Sequence, residues 1–343
     1  MLLKELVGKH GNYAVLSFAL LALALAGITA CAAPKREPGL NNNREEAPVS
    51  VSETGDKPKV YMTTDISPAG LAAMYEALGR KVSGRVAVKL STGEPGGHHF
   101  LDPKLIKDLV RSVNGTIVES NTAYGGRRAN TAMHKQAAID HGFTAIANVD
   151  ILDEDGSISL AFPNGKNITE DFVGSHFINY DSFLVLSHFK GHAMGGFGGA
   201  IKNISIGIAS SEGKSWIHSG GTARSGLRGD HDVFLESMAE AAGAVMGKLG
   251  ENIVYISVMN HLSVDCDCSS NPSPPELDDI GILSSLDPVA LDKACVDLIY
   301  AADTARSASL RKRIESRNGI HTLDYAEALG LGSQKYELVK LND

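Results

Sequence analysis

From Lys59 onward the chain alternates short β-branched or apolar runs with helical patterns that begin on capping residues and end at glycine, and few architectures accept that alternation. Val60 to Thr64 reads as a strand, followed by a helix through Leu78 with Ser67 as N-cap and Pro68 as first helical residue. Arg85 to Leu90 is a second strand. Asp102-Pro103 opens a second capped helix that runs to Val113 and is stopped by Asn114-Gly115. Thr116 to Glu119 is a third strand, Ala129 to His141 a third helix ended by Gly142, and Ala145 to Val149 a fourth strand. The order β-α-β-α-β-α-β predicts the α/β class, a mostly parallel sheet flanked by helices on both faces.

Beyond this point the order is less regular. Ser157 to Phe162 reads as one strand of a hairpin turning at Asn164-Gly165. Phe183 to Leu186 is a buried strand, Asp230 to Leu249 a long amphipathic helix closed by Gly250, and Ile253 to Met259 a further strand. Cys266 to Pro275 is an irregular loop, Ile280 to Leu283 a last core strand, and Asp287-Pro288 starts a helix to about Ala302. Two short helices carry the C-terminus. The α/β domain is expected over residues 58–343, either as one body or as two lobes over about 58–155 and 156–343.

The N-terminus stands apart from this pattern. Lys4 and Lys9 precede an almost unbroken apolar run from Ala14 to Ile28, too short for a stable span of about 20 residues. The run ends in Ile28-Thr29-Ala30-Cys31, which resembles the lipobox of bacterial lipoproteins, where the signal is cut before the cysteine and the cysteine carries the lipid. Residues 1–30 are therefore expected to be a lipoprotein signal peptide, the alternative being an uncleaved anchor. Residues 31–57, rich in Pro, Asn, Glu and Ser, cannot offset their ordering entropy by burial and read as a flexible tether. Both readings place the folded part outside the cytoplasm, lipid-anchored to the bacterial cell envelope in the first. The formal charge of −8 and the lack of a basic cluster exclude a nucleic-acid partner.

Four loops directly follow strands, and ligands of parallel sheets sit beyond the strands' C-terminal ends. They are Gly93 to His99, Asn121 to Arg128, the segment Ser187 to Gly221, and Asn260 to Cys268. The third holds three of the chain's twelve histidines (His188, His192, His218) among nine glycines and three lysines. Glycine lets backbone approach a ligand closely. Lys202 is expected to hold an anion or act as an amine nucleophile, and His192 and His218 to be metal ligands or general acid and base. Arg127 and Arg128 read either as partners of surface carboxylates or as a bidentate anion clamp. Lys89, Gly198, Gly199 and Asn203 complete the expected ligand-binding set. Cys266 and Cys268, spaced too closely to bridge one another easily, suit two ligands of one metal, with His188 and His192 as further metal ligands. The alternative is a disulfide from Cys295 to one of them.

At these residues the chain resembles the family called domain of unknown function 362. The resemblance rests on Val88-Lys89-Leu90 with Gly93-Glu94, Tyr124-Gly125-Gly126-Arg127, His141-Gly142-Phe143, and Ser187-His188-Phe189-Lys190-Gly191-His192. It continues in Ala200-Ile201-Lys202-Asn203, Asp265-Cys266-Asp267-Cys268, Asp279 to Leu283, and Asp287 to Ala290. Some members carry a ferredoxin-like iron–sulfur module, but the C-x-x-C-x-x-C run it requires is not in this sequence, which makes such a cluster the less expected cofactor. Gly195 to Lys202 is also similar to the Gly-Gly-x-Lys segment of the nickel-pincer lactate racemase family, with one extra residue between glycine and lysine. That resemblance implies a lysine joined to the pincer and histidines that bind nickel or move protons, here Lys202, His192 and His218.

The expected function is an envelope-anchored lipoprotein with a strand-end site for a divalent metal, a small anionic ligand or both. It is either a metal-dependent enzyme, such as an isomerase or oxidoreductase, or a non-catalytic binding protein. If Cys31 is lipidated, globomycin will trap a larger precursor on a gel; an unchanged band removes the anchor.

Overall fold

The structure, a computed structural model, describes residues 57–341. The expected signal peptide, the expected lipidation at Cys31 and all but the last residue of the expected tether lie outside the described residues.

The first half contains β1 (Lys59–Thr63), α1 (Pro68–Ala77), β2 (Val86–Lys89), α2 (Pro103–Ser112), β3 (Thr116–Glu119), α3 (Thr131–Asp140) and β4 (Val149–Ile151). Then come β5 (Ser157–Ala161), β6 (Glu170–Gly174), β7 (Ser182–His188), β8 (Lys190–His192), β9 (Gly196–Gly198), α4 (Ala200–Ile204), α5 (Ser211–His218) and α6 (His231–Leu249). The chain continues through β10 (Ile253–Met259), β11 (Gly281–Ser285), α7 (Pro288–Ala301), α8 (Thr304–Ser316), α9 (His321–Ala328) and β12 (Glu337–Lys340). The caps read from the sequence act as such: Ser67 accepts from the Gly70 N–H, Asp102 from Lys104, and Asp287 from Ala290. Each satisfies an amide that the first helical turn leaves without a partner.

Eight strands form one sheet in the order β12-β1-β11-β10-β7-β2-β3-β4. Neighbours run parallel except at β11, which is antiparallel to both β1 and β10. Central strands are buried on both faces, so their apolar residues alternate between two cores. Ala87, Phe183, Val185 and Tyr255 point into the core formed with α4, α6, α7 and α9. Val88, Leu184, Leu186 and Ile256 point into the core formed with α1 and α2. The mostly parallel sheet with helices on both faces is thus the observed architecture. The ends of β2, β3, β7 and β10 lie on one edge, and their four loops meet there.

Three details differ from the sequence reading. The strand expected at Ala145 to Val149 is instead a 3-10 turn over Phe143–Ala145 followed by β4. The guanidinium of Arg111 donates to the carbonyls of Ala145 and Ile146, which takes these groups away from any ladder. Asn164-Gly165 does not close a two-residue hairpin: β5 and β6 pair from Ala161 opposite Glu170, and Gly165 turns within a longer connection. Finally, the two expected C-terminal helices, α8 and α9, are followed by an unexpected strand, β12, which adds in parallel to β1. Its sequence, Glu-Leu-Val-Lys, is too short and half-buried to show a period.

Helix α4 is seated by a carboxylate. Asp292 of α7 accepts from the N–H groups of Ala200 at 2.6 Å and Ile201 at 3.0 Å, satisfying the helix start from within the protein. A Cβ on Gly199 would lie 2.2 Å from Asp292 Oδ1, so this glycine, expected to bind ligand, is required by the carboxylate behind it. Gly198 differs: a Cβ there would meet only Lys202 Cδ at 3.7 Å. Gly199→Ala is therefore expected to lose about 1–3 kcal/mol in urea unfolding, as overpacked sites do, with Gly198→Ala within about 0.5 kcal/mol of the parent. Equal effects would remove the assignment.

Candidate functional site

The four strand-end loops enclose a cavity of about 350 Å³. Its floor is a buried ionic cluster built on the last residues of two adjacent strands. Lys89, ending β2, donates to Glu119 Oε2 at 3.0 Å across to β3, and to the Leu90 carbonyl at 2.6 Å. Glu119 Oε1 also accepts from the Thr92 N–H at 2.8 Å and Arg128 Nη1 at 3.3 Å. Arg128 Nε donates to Glu94 at 2.8 Å, whose other donor is the Tyr124 hydroxyl at 3.1 Å. The Lys89 and Glu119 side chains are only 1% and 6% exposed, so the charges exist only because they are paired. Burial alone would raise the Glu119 carboxyl, but the Lys89 ammonium, His134 and Arg128 outweigh it and hold it well below the carboxylate range.

A second buried cluster fixes the Cys266 loop. Asp267 accepts from His188 Nδ1 at 3.0 Å and Lys190 Nζ at 2.9 Å, and its carbonyl accepts from the Glu94 N–H at 2.7 Å. The two clusters therefore join the loops after β2, β3, β7 and β10.

Two lysines in the cavity lack a carboxylate of their own. Lys202 Nζ has no hydrogen-bond or ion-pair partner among the described residues. Burial, then the neighbouring Lys89 and Arg128 charges, pushes its amine down to about 8. Lys214 on α5 donates only to the Ala209 carbonyl, and burial brings it to about 8 as well. His218, at the end of α5, stacks on Phe234 with ring centroids 4.1 Å apart. Burial, then Lys202 and Lys214, drives it down to about 3, so it is neutral at physiological pH. Its buried Nδ1 has no partner. His192 is held well below its ordinary value by burial and by Lys202.

Of the residues singled out from sequence, Lys89, Arg128, His188, His192, Gly198, Gly199, Lys202, Asn203, His218, Cys266 and Cys268 all line the cavity. Several do other work there than expected. Arg127 is exposed and outside the wall, since Gly126 at φ 83° turns the chain so that only Arg128 points inward. Arg128 is spent on Glu94 and Glu119 rather than free to clamp a ligand, and Lys89 is spent on Glu119. The Asn203 amide nitrogen donates to the Lys89 carbonyl and to Ser187 Oγ, tying α4 to β2 and β7. Sequence reasoning passed over Glu119, whose only signal was a charge closing an apolar strand. It counted Lys214 among the lysines of the third segment without giving it a role, and passed over Asp292.

The expected metal donors are partly brought together. Cys266 and Cys268 are bonded to each other rather than to Cys295, which is buried and free in α7. The spacing is short, but the loop between them is turned by the Cys266 carbonyl accepting from the Ser269 N–H. A ring nitrogen of His192 and the two sulfurs do lie within 4.8 Å of one another, the grouping a metal would use. In the state described, that donor set does not fit a metal. The sulfurs are joined, and His192 Nδ1 accepts from the Gly195 N–H at 2.8 Å, which leaves the ring proton on Nε2. His188 has both ring nitrogens engaged within the protein, by Asp267 and by the Asn260 carbonyl.

These features define an α/β protein with a largely apolar-walled cavity, floored by buried charges, at the C-terminal edge of a mostly parallel sheet. The chain belongs to the family described as domain of unknown function (DUF362), whose model matches residues 86–297. No curated protein matches it in sequence. Among solved structures, it is similar to a lactate racemase apoprotein from Thermoanaerobacterium thermosaccharolyticum, at 15% identity and a TM-score of 0.38, covering 59% of this chain and 51% of that one. It is also similar to a protein from Thermotoga maritima, at 11% identity and a TM-score of 0.39, covering 73% of this chain and 58% of that one. The matches thus span little more than half the length of either structure.

Proposed function

We propose that the strand-end cavity binds a small anion, with Lys202 as its counter-charge and Lys214 as a second cation. The observation that carries this reading is the unpartnered Lys202 amine. Lys89, Arg128 and Lys190 each have a carboxylate within hydrogen-bond distance and Lys214 has the Ala209 carbonyl, whereas Lys202 faces the cavity beside two positive neighbours and gains a partner only from a ligand. The neutral His218 and His192 rings add hydrogen-bonding groups without further charge. The cavity volume suits a compact organic acid or phosphate rather than a polymer.

Catalysis on the bound anion is a second reading, favoured by one property. An amine near 8 is partly unprotonated at neutral pH and serves as a base or nucleophile, which an ordinary lysine does poorly. The reading extends to location: the lipobox-like Cys31 supports a lipid-anchored protein of the bacterial envelope meeting its ligand outside the cytoplasm.

Calorimetric titration with oxalate, lactate and inorganic phosphate tests the site. The free amine carries its charge below about 8 and loses it above, so affinity should be highest below that pH and fall as pH rises through it. Lys202→Ala should weaken binding about 10- to 100-fold, corresponding to the loss of a charged hydrogen bond of about 1.5–3 kcal/mol. Binding that ignores both the substitution and the pH would contradict the proposal.

A further inference from the structure

Anion binding leaves one reactive group of the cavity wall unused, the bond between Cys266 and Cys268. A crosslink with a sequence separation of 2 closes too short a loop to remove much entropy from the unfolded chain, so it is a weak staple. The segment is held by other means. Asp267, between the cysteines, is anchored by His188 and Lys190, and Asp265 Oδ2 accepts from the Ser273 N–H and hydroxyl. Both cysteines are half-buried on the cavity wall, within reach of a small molecule that enters it.

The surroundings also distinguish the two sulfurs. The Cys268 N–H donates to Cys266 Sγ at 3.3 Å, an arrangement that favours negative charge on that sulfur. His192 lies within 4.8 Å of both and, with Nδ1 occupied by Gly195, carries its ring proton on Nε2. A thiolate formed on Cys266 would keep the Cys268 N–H as a donor. Cys295 has none of this: it is buried in the core, and burial pushes its thiol well up.

We propose that Cys266 and Cys268 are a dithiol–disulfide couple that exchanges two electrons with a small dithiol entering the cavity. One thiolate of the incoming dithiol attacks Cys268 Sγ. The protein S–S bond breaks and Cys266 leaves as a thiolate, the better-stabilised leaving group, and takes up a proton. The second thiol of the reductant, as its thiolate, attacks the mixed disulfide and releases Cys268, which is protonated in turn. The protein gains two electrons and two protons, and the dithiol becomes its cyclic disulfide. This couple does not depend on the anion reading.

The full chain, equilibrated folded in mixtures of reduced and oxidised dithiothreitol and quenched by alkylation, tests the couple by peptide mass spectrometry. Cys266 and Cys268 should gain and lose their alkyl labels together and reversibly, in one two-electron transition, while circular dichroism is unchanged and Cys295 stays unlabelled until denaturant is added. In Cys266→Ser, Cys268 should be captured by oxidised glutathione as a mixed disulfide. A bond that resists excess dithiothreitol until the protein unfolds, or reduction that itself unfolds the protein, would make it structural and overturn the proposal. Thiols that never reoxidise, or that zinc protects from alkylation in place of reoxidation, would overturn it as well.

Discussion

The Glu119 carboxylate is the contact on which the edge of this sheet depends. It ends β3, receives Lys89 from the end of β2, and accepts from Thr92 and Arg128 in the two following loops. Without it the buried Lys89 ammonium would lose its carboxylate and Arg128 would keep only Glu94. Loss of one partner from a buried pair of this kind costs about 3–5 kcal/mol. The same carboxylate sets the electrostatics of the cavity. By neutralising Lys89 and part of Arg128 it allows Lys202 to come close, yet burial and then the residual positive field still depress the Lys202 amine. Structural pairing and ligand attraction are thus two results of one arrangement of charges.

Much of the fold was legible because its signals are local. Helix starts at Pro68, Pro103 and Pro288 follow side-chain caps, and the buried strands are apolar runs flanked by turns. What escaped depends on distant partners. The Ala145 run looks like a strand until Arg111 takes its carbonyls, and β12 exists only because β1 offers it an edge. The first strand lies away from β2 in the sheet, between β12 and β11, a choice of pairing that no local pattern encodes.

The site divides in the same way. Strand-end logic gathered the right loops, because in a parallel sheet the C-terminal ends share an edge by construction. It could not assign roles within them. Gly199 reads as a ligand cradle but makes room for Asp292, Arg128 reads as an anion clamp but is held by two carboxylates, and His188 reads as a metal ligand but bridges Asp267 and a carbonyl. Such residues are told apart only by which side chains are already satisfied. By that criterion Lys202 and the Cys266–Cys268 bond remain as the groups that still have chemistry to offer.

The depressed Lys202 amine is open to direct observation. In protein labelled at the lysine ε positions, with Lys202→Arg and Lys214→Arg used to assign the signals, the Lys202 resonance should titrate near 8 and move upward when oxalate or phosphate saturates the cavity. A Lys202 that titrates near the ordinary 10.5 with and without anion would mean that neither the buried positive field nor the anion site exists.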